Sequence, residues 1–298
     1  MKRIVVVGSL NMDLVTTVRS LPKPGETVAS TSFATIPGGK GANQAVCAAR
    51  LGAQVKMIGK VGSDEYGSQL ISILEESGVD SKGVYQNGKT GMAFIQVSED
   101  GENSIVLYPG ANGEITPQEI EYQKQIIENG DFILLQLEIP CEAVSHTLKL
   151  ANSLGKKVIL NPAPARILPD EWYPMIHTLT PNETELSILT KQEIQTKEDV
   201  IRSAKILMDK GAKQIIVTMG KKGAYFIRKN VHTHIPAYSV PTVDSTGAGD
   251  SFTAAFTFAL AQGKEEVAAA QFASKVASMV VQRKGAIPSM PYGHEVEK

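Results

Sequence analysis

The chain has 298 residues, 42% of them hydrophobic and 20% charged, and its formal net charge is -1. That is an ordinary globular composition, enough for one large α/β domain or two smaller ones. The near-neutral balance excludes a broad basic footprint for nucleic acid or a membrane surface, and no stretch approaches the roughly 18 apolar residues of a membrane span.

The first apolar run, Ile4 to Val7, is β-branched, ends at Gly8 and is too short for a signal-peptide core. It reads as a buried central strand of a parallel sheet, in a soluble, cytoplasmic protein. Residues 14–36 carry no helix signal but hold the turn cluster Leu21-Pro22-Lys23-Pro24-Gly25-Glu26 between extended stretches. An alanine-rich helix is predicted over 41–51, a strand over 55–61 and a helix over 68–77. Residues 92–97 and 104–108 read as a hairpin about Asp100-Gly101. The extended pieces within 12–36 and 90–108 either pair into a small sheet projecting over the strand ends as a lid or extend the main sheet; both readings stand. One helix is predicted over 116–128, with Thr116 as cap and Pro117 at its first position. Strands at 132–136, 157–161, 176–179 and 214–219 then alternate with helices at 142–153, 183–190 and 197–210. This alternation argues for a parallel sheet covered on both faces. Two short strands, 223–228 and 232–235, precede long helices over 251–260 and 265–282.

Cys47 and Cys141 sit apart in apolar stretches and read as buried free thiols. His232 and His234 share a strand face without a third ligand, the pattern of surface histidines rather than a metal site. Gly83-Val84-Tyr85-Gln86-Asn87-Gly88-Lys89-Thr90 matches the P-loop pattern, but a helix precedes it and a strand follows it in this reading. No helix N-terminus is then available to cradle phosphate, and the match is set aside.

Thr246-Gly247-Ala248-Gly249-Asp250 is different, because a long helix follows it. Small residues let a phosphate reach the unpaired amides at the helix mouth, and the helix dipole assists. Asp250 is then placed to take a proton from an attacking alcohol; as an alternative, it simply caps the helix. Pro37-Gly38-Gly39-Lys40-Gly41-Ala42-Asn43-Gln44 likewise runs into a helix. Asn11 and Asp13 follow the first strand at its carboxyl end, where α/β proteins place ligands. Asn11, Asp13 and Asn43 together offer donors and acceptors suited to a polyhydroxyl ligand.

Seven motifs in order carry a resemblance to the ribokinase-like family of carbohydrate kinases. They are Gly8 to Asp13, Pro37 to Gln44, Gln136-Leu137-Glu138, Asn161 to Ala165, Thr180 to Glu185, Asp244 to Phe252 and Arg283 to Ser289. The resemblance spans almost the whole chain. It implies a single kinase domain over 1–298, a three-layer α/β/α fold with a mostly parallel sheet and a β-sheet lid, and a homodimer formed through the lid. It implies transfer of the ATP γ-phosphoryl group to the 5-hydroxyl of ribose. Asn11, Asp13, Gly38, Gly39, Lys40, Asn43 and Glu138 would surround the sugar, Asp250 would be the base, and Gly247, Ala248 and Gly249 would form the anion hole. Asn182 and Glu185 would lie near Mg²⁺ and the phosphates, with Thr218, Gly220, Gly223, Gly249 and Ser274 around the nucleotide; relatives often carry a larger polar residue at the position of Ser274. Asp244, Thr246, Val280, Arg283, Gly285 and Ser289 would hold an activating potassium ion, largely through main-chain oxygens. A family member acting on deoxyribose, fructose or a nucleoside is the nearest alternative, with Asp13 as the discriminating residue. A non-catalytic sensor on the same fold has no reason to keep Asp250 and its glycines. A dinucleotide dehydrogenase lacks support, since no GxGxxG follows the first strand.

Overall fold

A computed structural model describes residues 2–229 and 231–297. The apolar run at the N-terminus forms β1 (Arg3–Val7). The chain then leaves the core as β2 (Asn11–Val18) and returns as β3 (Ser32–Gly38) into α1 (Lys40–Arg50). β4 (Gln54–Val61), α2 (Glu65–Glu76) and β5 (Val79–Gln86) follow, and then the hairpin β6 (Gly91–Ser98) and β7 (Asn103–Tyr108). A 3-10 turn, Gly110–Glu114, leads to α3 (Pro117–Tyr122) and α4 (Lys124–Glu128). β8 (Phe132–Leu135), α5 (Cys141–Ser153), β9 (Lys157–Leu160) and β10 (Ile176–Leu179) continue the alternation. Next come α6 (Glu183–Thr190), α7 (Lys197–Asp209), β11 (Gln214–Thr218), β12 (Ala224–Arg228) and β13 (Val231–Ile235). The chain ends in α8 (Ala248–Ala261), α9 (Glu266–Val280) and α10 (Gly293–Val296).

The main sheet has nine strands in the order β13-β12-β11-β10-β9-β8-β1-β4-β5, parallel from β5 to β11 with β12 and β13 antiparallel at one edge. Its two faces bury separate cores. Along β1, Ile4 and Val6 pack with the side chains of α1, α8 and α9, whereas Val5 and Val7 pack with those of α5, α6 and α7. This explains why β1 is apolar at every position rather than alternating. From β1 the chain builds outward through β4 and β5, then returns to add β8 on the other side. The reversal lies between β1 and β8, so their carboxyl ends border the crevice where doubly covered sheets bind ligands.

The four extended pieces form a second sheet, ordered β3-β2-β6-β7, which decides for a separate small sheet and against an extension of the main one. β2 pairs in parallel with β6 and antiparallel with β3, and β6 pairs antiparallel with β7. Asn11, Gly38 and Gly91 are in register at the root of this sheet, beside the crevice.

Three expectations change. The P-loop-like segment is preceded by a strand, not a helix: Gly83 to Gln86 belong to β5, which pairs with β4 alone and buries only every fourth residue, so its apolar pattern is weak. No helix follows, because Gly91 opens β6, and the match still offers no phosphate cradle. The helix expected over 116–128 breaks at Gln123, whose backbone leaves the helical region (φ -93, ψ 11) and whose Nε2 donates to Tyr85 Oη at 2.9 Å. Cys47 is buried and free, and burial pushes its thiol up to about 12; Cys141 is free but only half-buried and accepts from Arg166 Nη1 at 2.9 Å. His232 and His234 lie exposed on β13, and no cluster of metal-ligating side chains occurs among the described residues.

Candidate active site

Two helix mouths meet at the crevice. α1 begins at Lys40 after Gly39, which holds φ 90; a Cβ there would lie 2.6 Å from the Asn11 backbone nitrogen. Gly38 is equally confined, since a Cβ would stand 2.5 Å from Asp13 Oδ2. These glycines let the approach to α1 lie directly on the strand carrying Asn11 and Asp13. α8 begins after Gly247, in the left-handed region at φ 76, so the helix cap is Gly247 and Asp250 sits inside the first turn. The capping explanation of Asp250 therefore does not apply.

Asp250 is only 6% exposed and is held from α1. Asn43 Nδ2 donates to its Oδ2 at 2.8 Å and Gln44 Nε2 to its Oδ1 at 3.4 Å. Behind these, Gln44 Nε2 donates to Asn161 Oδ1 at 3.3 Å and its Oε1 accepts from Gln136 Nε2 at 2.7 Å. Gln44, Gln136 and Asn161 lie in the motifs that carried the resemblance, yet their part in orienting the carboxylate requires β8, β9 and α1 to be assembled.

Glu138, just beyond β8, closes the opposite side. Its Oε2 accepts from Ser9 Oγ at 2.5 Å, from Lys40 N at 3.2 Å and from Asn11 Nδ2 at 3.5 Å. The pocket thus holds the carboxylates of Asp13, Glu138 and Asp250 around Lys40. Burial, then Glu138 and Asp250, push the Asp13 carboxyl up to about 7, with Lys40 opposing. Asp250 foremost holds the Lys40 ammonium above its ordinary range, against burial. An excess of acceptors beside a few donors is a chemistry suited to several hydroxyls.

A cleft of about 630 Å³ adjoins the mouth of α8, where it meets Ala248 and Gly249. Thr218, Gly220, Gly223 and Ser274 all line it. Tyr238, Phe252, Ala277 and Val281 line it too and were not foreseen: on a helix or loop they read as ordinary packing residues. Asn182 is bridged to Thr218 and caps α6, its Oδ1 accepting from Glu185 N at 2.8 Å while Glu185 Oε2 accepts from Asn182 N at 2.8 Å. Burial leads the influences that raise the Glu185 carboxyl, opposed first by the hydrogen bond from Asn182 N and then by Lys40. The capping box engages Oε2 and leaves the other oxygen of Glu185 for water or a hydrated metal, a donor set that fits Mg²⁺.

Beside this mouth the loop after β13 meets the end of α9. Val243 N and Asp244 N both donate to Val281 O, at 2.7 and 3.2 Å. Asp244 Oδ1 accepts from Thr246 N at 2.9 Å and Oδ2 from Gly285 N at 2.8 Å. Burial alone would raise the Asp244 carboxyl, but these hydrogen bonds outweigh it and hold it below its ordinary range. Among the described residues the carbonyls of Asp244, Thr246, Arg283 and Gly285 receive no hydrogen bond, and Ser289 Oγ donates to Ala286 O at 2.6 Å, keeping its lone pairs free. The Val280 carbonyl already accepts from Arg283 N at 3.0 Å. Unpaired main-chain oxygens tied together by one carboxylate are a donor set that fits a weakly hydrated monovalent cation.

The sequence pattern of pfkB family carbohydrate kinases matches residues 1–292. The chain belongs to this family. It is therefore a carbohydrate kinase, and its similarity to individual members is high throughout. It is 45% identical to the ribokinase of Bacillus subtilis over 300 aligned residues, covering 100% of this chain and 99% of the relative. It is 39% identical to a deoxyribokinase of Salmonella typhi, covering 97% and 95%. Among solved structures, that of Arabidopsis thaliana ribokinase complexed with ribose and ATP superposes with a TM-score of 0.94 at 37% identity, covering 100% of this chain and 98% of that one.

Proposed function

We propose that this kinase transfers the γ-phosphoryl group of ATP to the 5-hydroxyl of D-ribose, giving D-ribose 5-phosphate and ADP. One observation carries the reading: the Asp250 carboxylate, held by Asn43 and Gln44, stands between a pocket rich in hydroxyl-binding groups and a helix mouth opening on a cleft of about 630 Å³. Asn11, Asp13, Gly38, Gly39, Lys40, Asn43 and Glu138 hold the sugar. Asp250 takes the proton of the 5-hydroxyl as its oxygen attacks, and the oxygen bridging to ADP leaves with the bond's electron pair. The amides of Gly247, Ala248 and Gly249 stabilise the charge on the transferring group; because that transition state is loose, positioning and charge stabilisation outweigh the base. Asn182, Glu185, Thr218, Gly220, Gly223 and Ser274 hold the nucleotide, with Glu185 toward its Mg²⁺, which when bound neutralises phosphate charge. Asp244, Thr246, Val280, Arg283, Gly285 and Ser289 would hold potassium, and their loop keeps Gly247 in place.

Deoxyribose is the second reading, and the 39% identity to a deoxyribokinase favours keeping it. Asp13 decides between them, because a half-buried carboxylate facing two hydroxyls penalises a sugar that lacks one. Pairing register places Phe33 (62%), Phe94 (44%) and Val106 (65%) on one face of the lid sheet, all exposed, and we read this apolar face as the surface of a homodimer. No helix among the described residues is long and apolar enough to cross a membrane, and both thiols are free, which supports a cytoplasmic setting.

Coupled ADP release over ribose, 2-deoxyribose and fructose, with and without potassium, tests the whole reading. Ribose with potassium should give the highest kcat/KM. An equal or higher value for 2-deoxyribose transfers the assignment to that sugar, and no ADP from any sugar leaves a sensor.

A further inference from the structure

Three chain segments cross at the root of the lid: Leu10 and Asn11 entering β2, Thr90 and Gly91 entering β6, and the 3-10 turn Gly110–Glu114 leaving β7. Asn112, 1% exposed, sits where they meet. Its Oδ1 accepts from Leu10 N at 2.9 Å, and its Nδ2 donates to Leu10 O at 2.9 Å and to Asn11 Oδ1 at 2.8 Å. The first two bonds copy the pairing of a neighbouring strand at the point where β1 has ended and the lid begins. They also settle which way the Asn112 amide faces, since the reverse would set its NH₂ against Leu10 N.

The third bond governs a neighbour. With Oδ1 of Asn11 engaged by Asn112, the Asn11 Nδ2 must face Glu138 Oε2, 3.5 Å away, and the sugar pocket. A flipped Asn11 would point its carbonyl at that carboxylate. The space is closed as well: a Cβ on Gly91 would lie 2.3 Å from both Asn11 Oδ1 and Asn112 Nδ2. The turn carrying Asn112 is tied to the strand entering β6 by Ala111 N donating to Lys89 O at 2.7 Å.

We propose that Asn112 is a positioning residue for the sugar. It makes Asn11 present a donor to the pocket, so that Asn11 recognises a hydroxyl lone pair while Asp13 and Glu138 accept hydroxyl protons. It does this at the root of the lid, bonded to Asn11 Oδ1 while Asn11 Nδ2 faces Glu138. The inference rests on the sugar-binding reading given above.

The test is titration calorimetry of ribose and, separately, of ADP, on the intact protein and on Asn112→Ala, Asn112→Asp, Asn11→Ala and the double variant Asn11→Ala/Asn112→Ala. Losing one orienting hydrogen bond should weaken ribose binding about tenfold in Asn112→Ala, with ADP binding changed by less than about twofold. On the Asn11→Ala background, removing Asn112 should cost less than about twofold more, because its effect passes through Asn11. Asn112→Asp fills the same space and keeps the acceptor for Leu10 N, but as a carboxylate it loses both donations. It should lose ribose affinity to the same degree, which keeps the idea testable if Asn112→Ala does not fold. Equal losses for ribose and ADP, full additivity with Asn11→Ala, or unchanged ribose binding in Asn112→Asp each overturn the proposal. An unaltered protein that binds no sugar removes the sugar-site reading itself, a different failure from normal binding that is indifferent to Asn112.

Discussion

Replacing Asp250 with asparagine separates its chemistry from its place in the structure. The carboxylate has two acceptor oxygens, one facing Asn43 at 2.8 Å and one facing Gln44 at 3.4 Å. The amide introduced by Asp250→Asn has one acceptor oxygen, which the shorter contact from Asn43 retains. Gln44 loses the longer contact and meets the new NH₂ instead, but keeps Asn161 Oδ1 at 3.3 Å, so the structural cost is about 1–2 kcal/mol. Lys40 loses the largest influence raising its pKa but keeps Glu138, Glu185 and Asp13. Ribose and nucleotide affinity should nevertheless change by less than about threefold, while Tm falls by about 2–8 °C. Turnover is another matter. A general base contributes about 10²–10⁴-fold, and the loose transition state of phosphoryl transfer puts this site toward the lower end. A fall in kcat of about 10²–10³-fold, or about 2.7–4 kcal/mol, is expected. The assay is steady-state ADP release at saturating ribose and ATP, with ribose binding by calorimetry as the control. A variant retaining kcat within about tenfold of the unaltered enzyme refutes the role of base, and one that no longer binds ribose shows that the chemistry of Asp250 and its structural role are not separable.

The Asp13 carboxyl, raised from 3.8 to about 7, makes the free protein pH-sensitive. Because the folded state binds this proton more tightly than the unfolded state, the group's stabilising contribution is complete below about pH 4 and is lost as pH rises through about 7. KM for ribose should rise as pH falls from about 8 to about 6, since the protonated acid accepts fewer hydroxyl bonds, and Asp13→Asn should flatten that dependence. Gly247→Ala should cost about 1–2 kcal/mol of stability, because φ is 76 and the new Cβ would meet Ala286 at 3.2 Å. It should lower kcat by about 10²–10³-fold while leaving ribose affinity in place, measured by kinetics beside calorimetry. Val106→Asp, on the exposed outer strand of the lid, should yield monomers in light scattering if the lid face joins two subunits; an unchanged dimer moves the interface elsewhere.

Read alone, the residues disclose the layers, the strand rhythm and the helix mouths, because these depend on local periodicity and on glycine at positions such as Gly39 and Gly247 that lie at helix starts. The β-branched run of β1, apolar on both sides, already implies a sheet covered on two faces. Motif order was enough to propose Asn11, Asp13, Asn43, Glu138 and Asp250 as partners. What tertiary structure alone decided are the relations between distant segments. β5 escaped notice because it is an edge strand whose partner, β4, pairs with it from outside its own sequence pattern. The lid became a separate sheet through β2 pairing with β6, some eighty residues away, which no local signal encodes. Gln44, Asn112, Gln136 and Asn161 are ordinary buried amides in sequence; they acquire their tasks only when hydrogen bonds spanning about a hundred positions bring them to Asp250 and Asn11. Local propensity and hydrophobic period are written along the chain, whereas the direction in which a buried amide points depends on the partner that folding places opposite it.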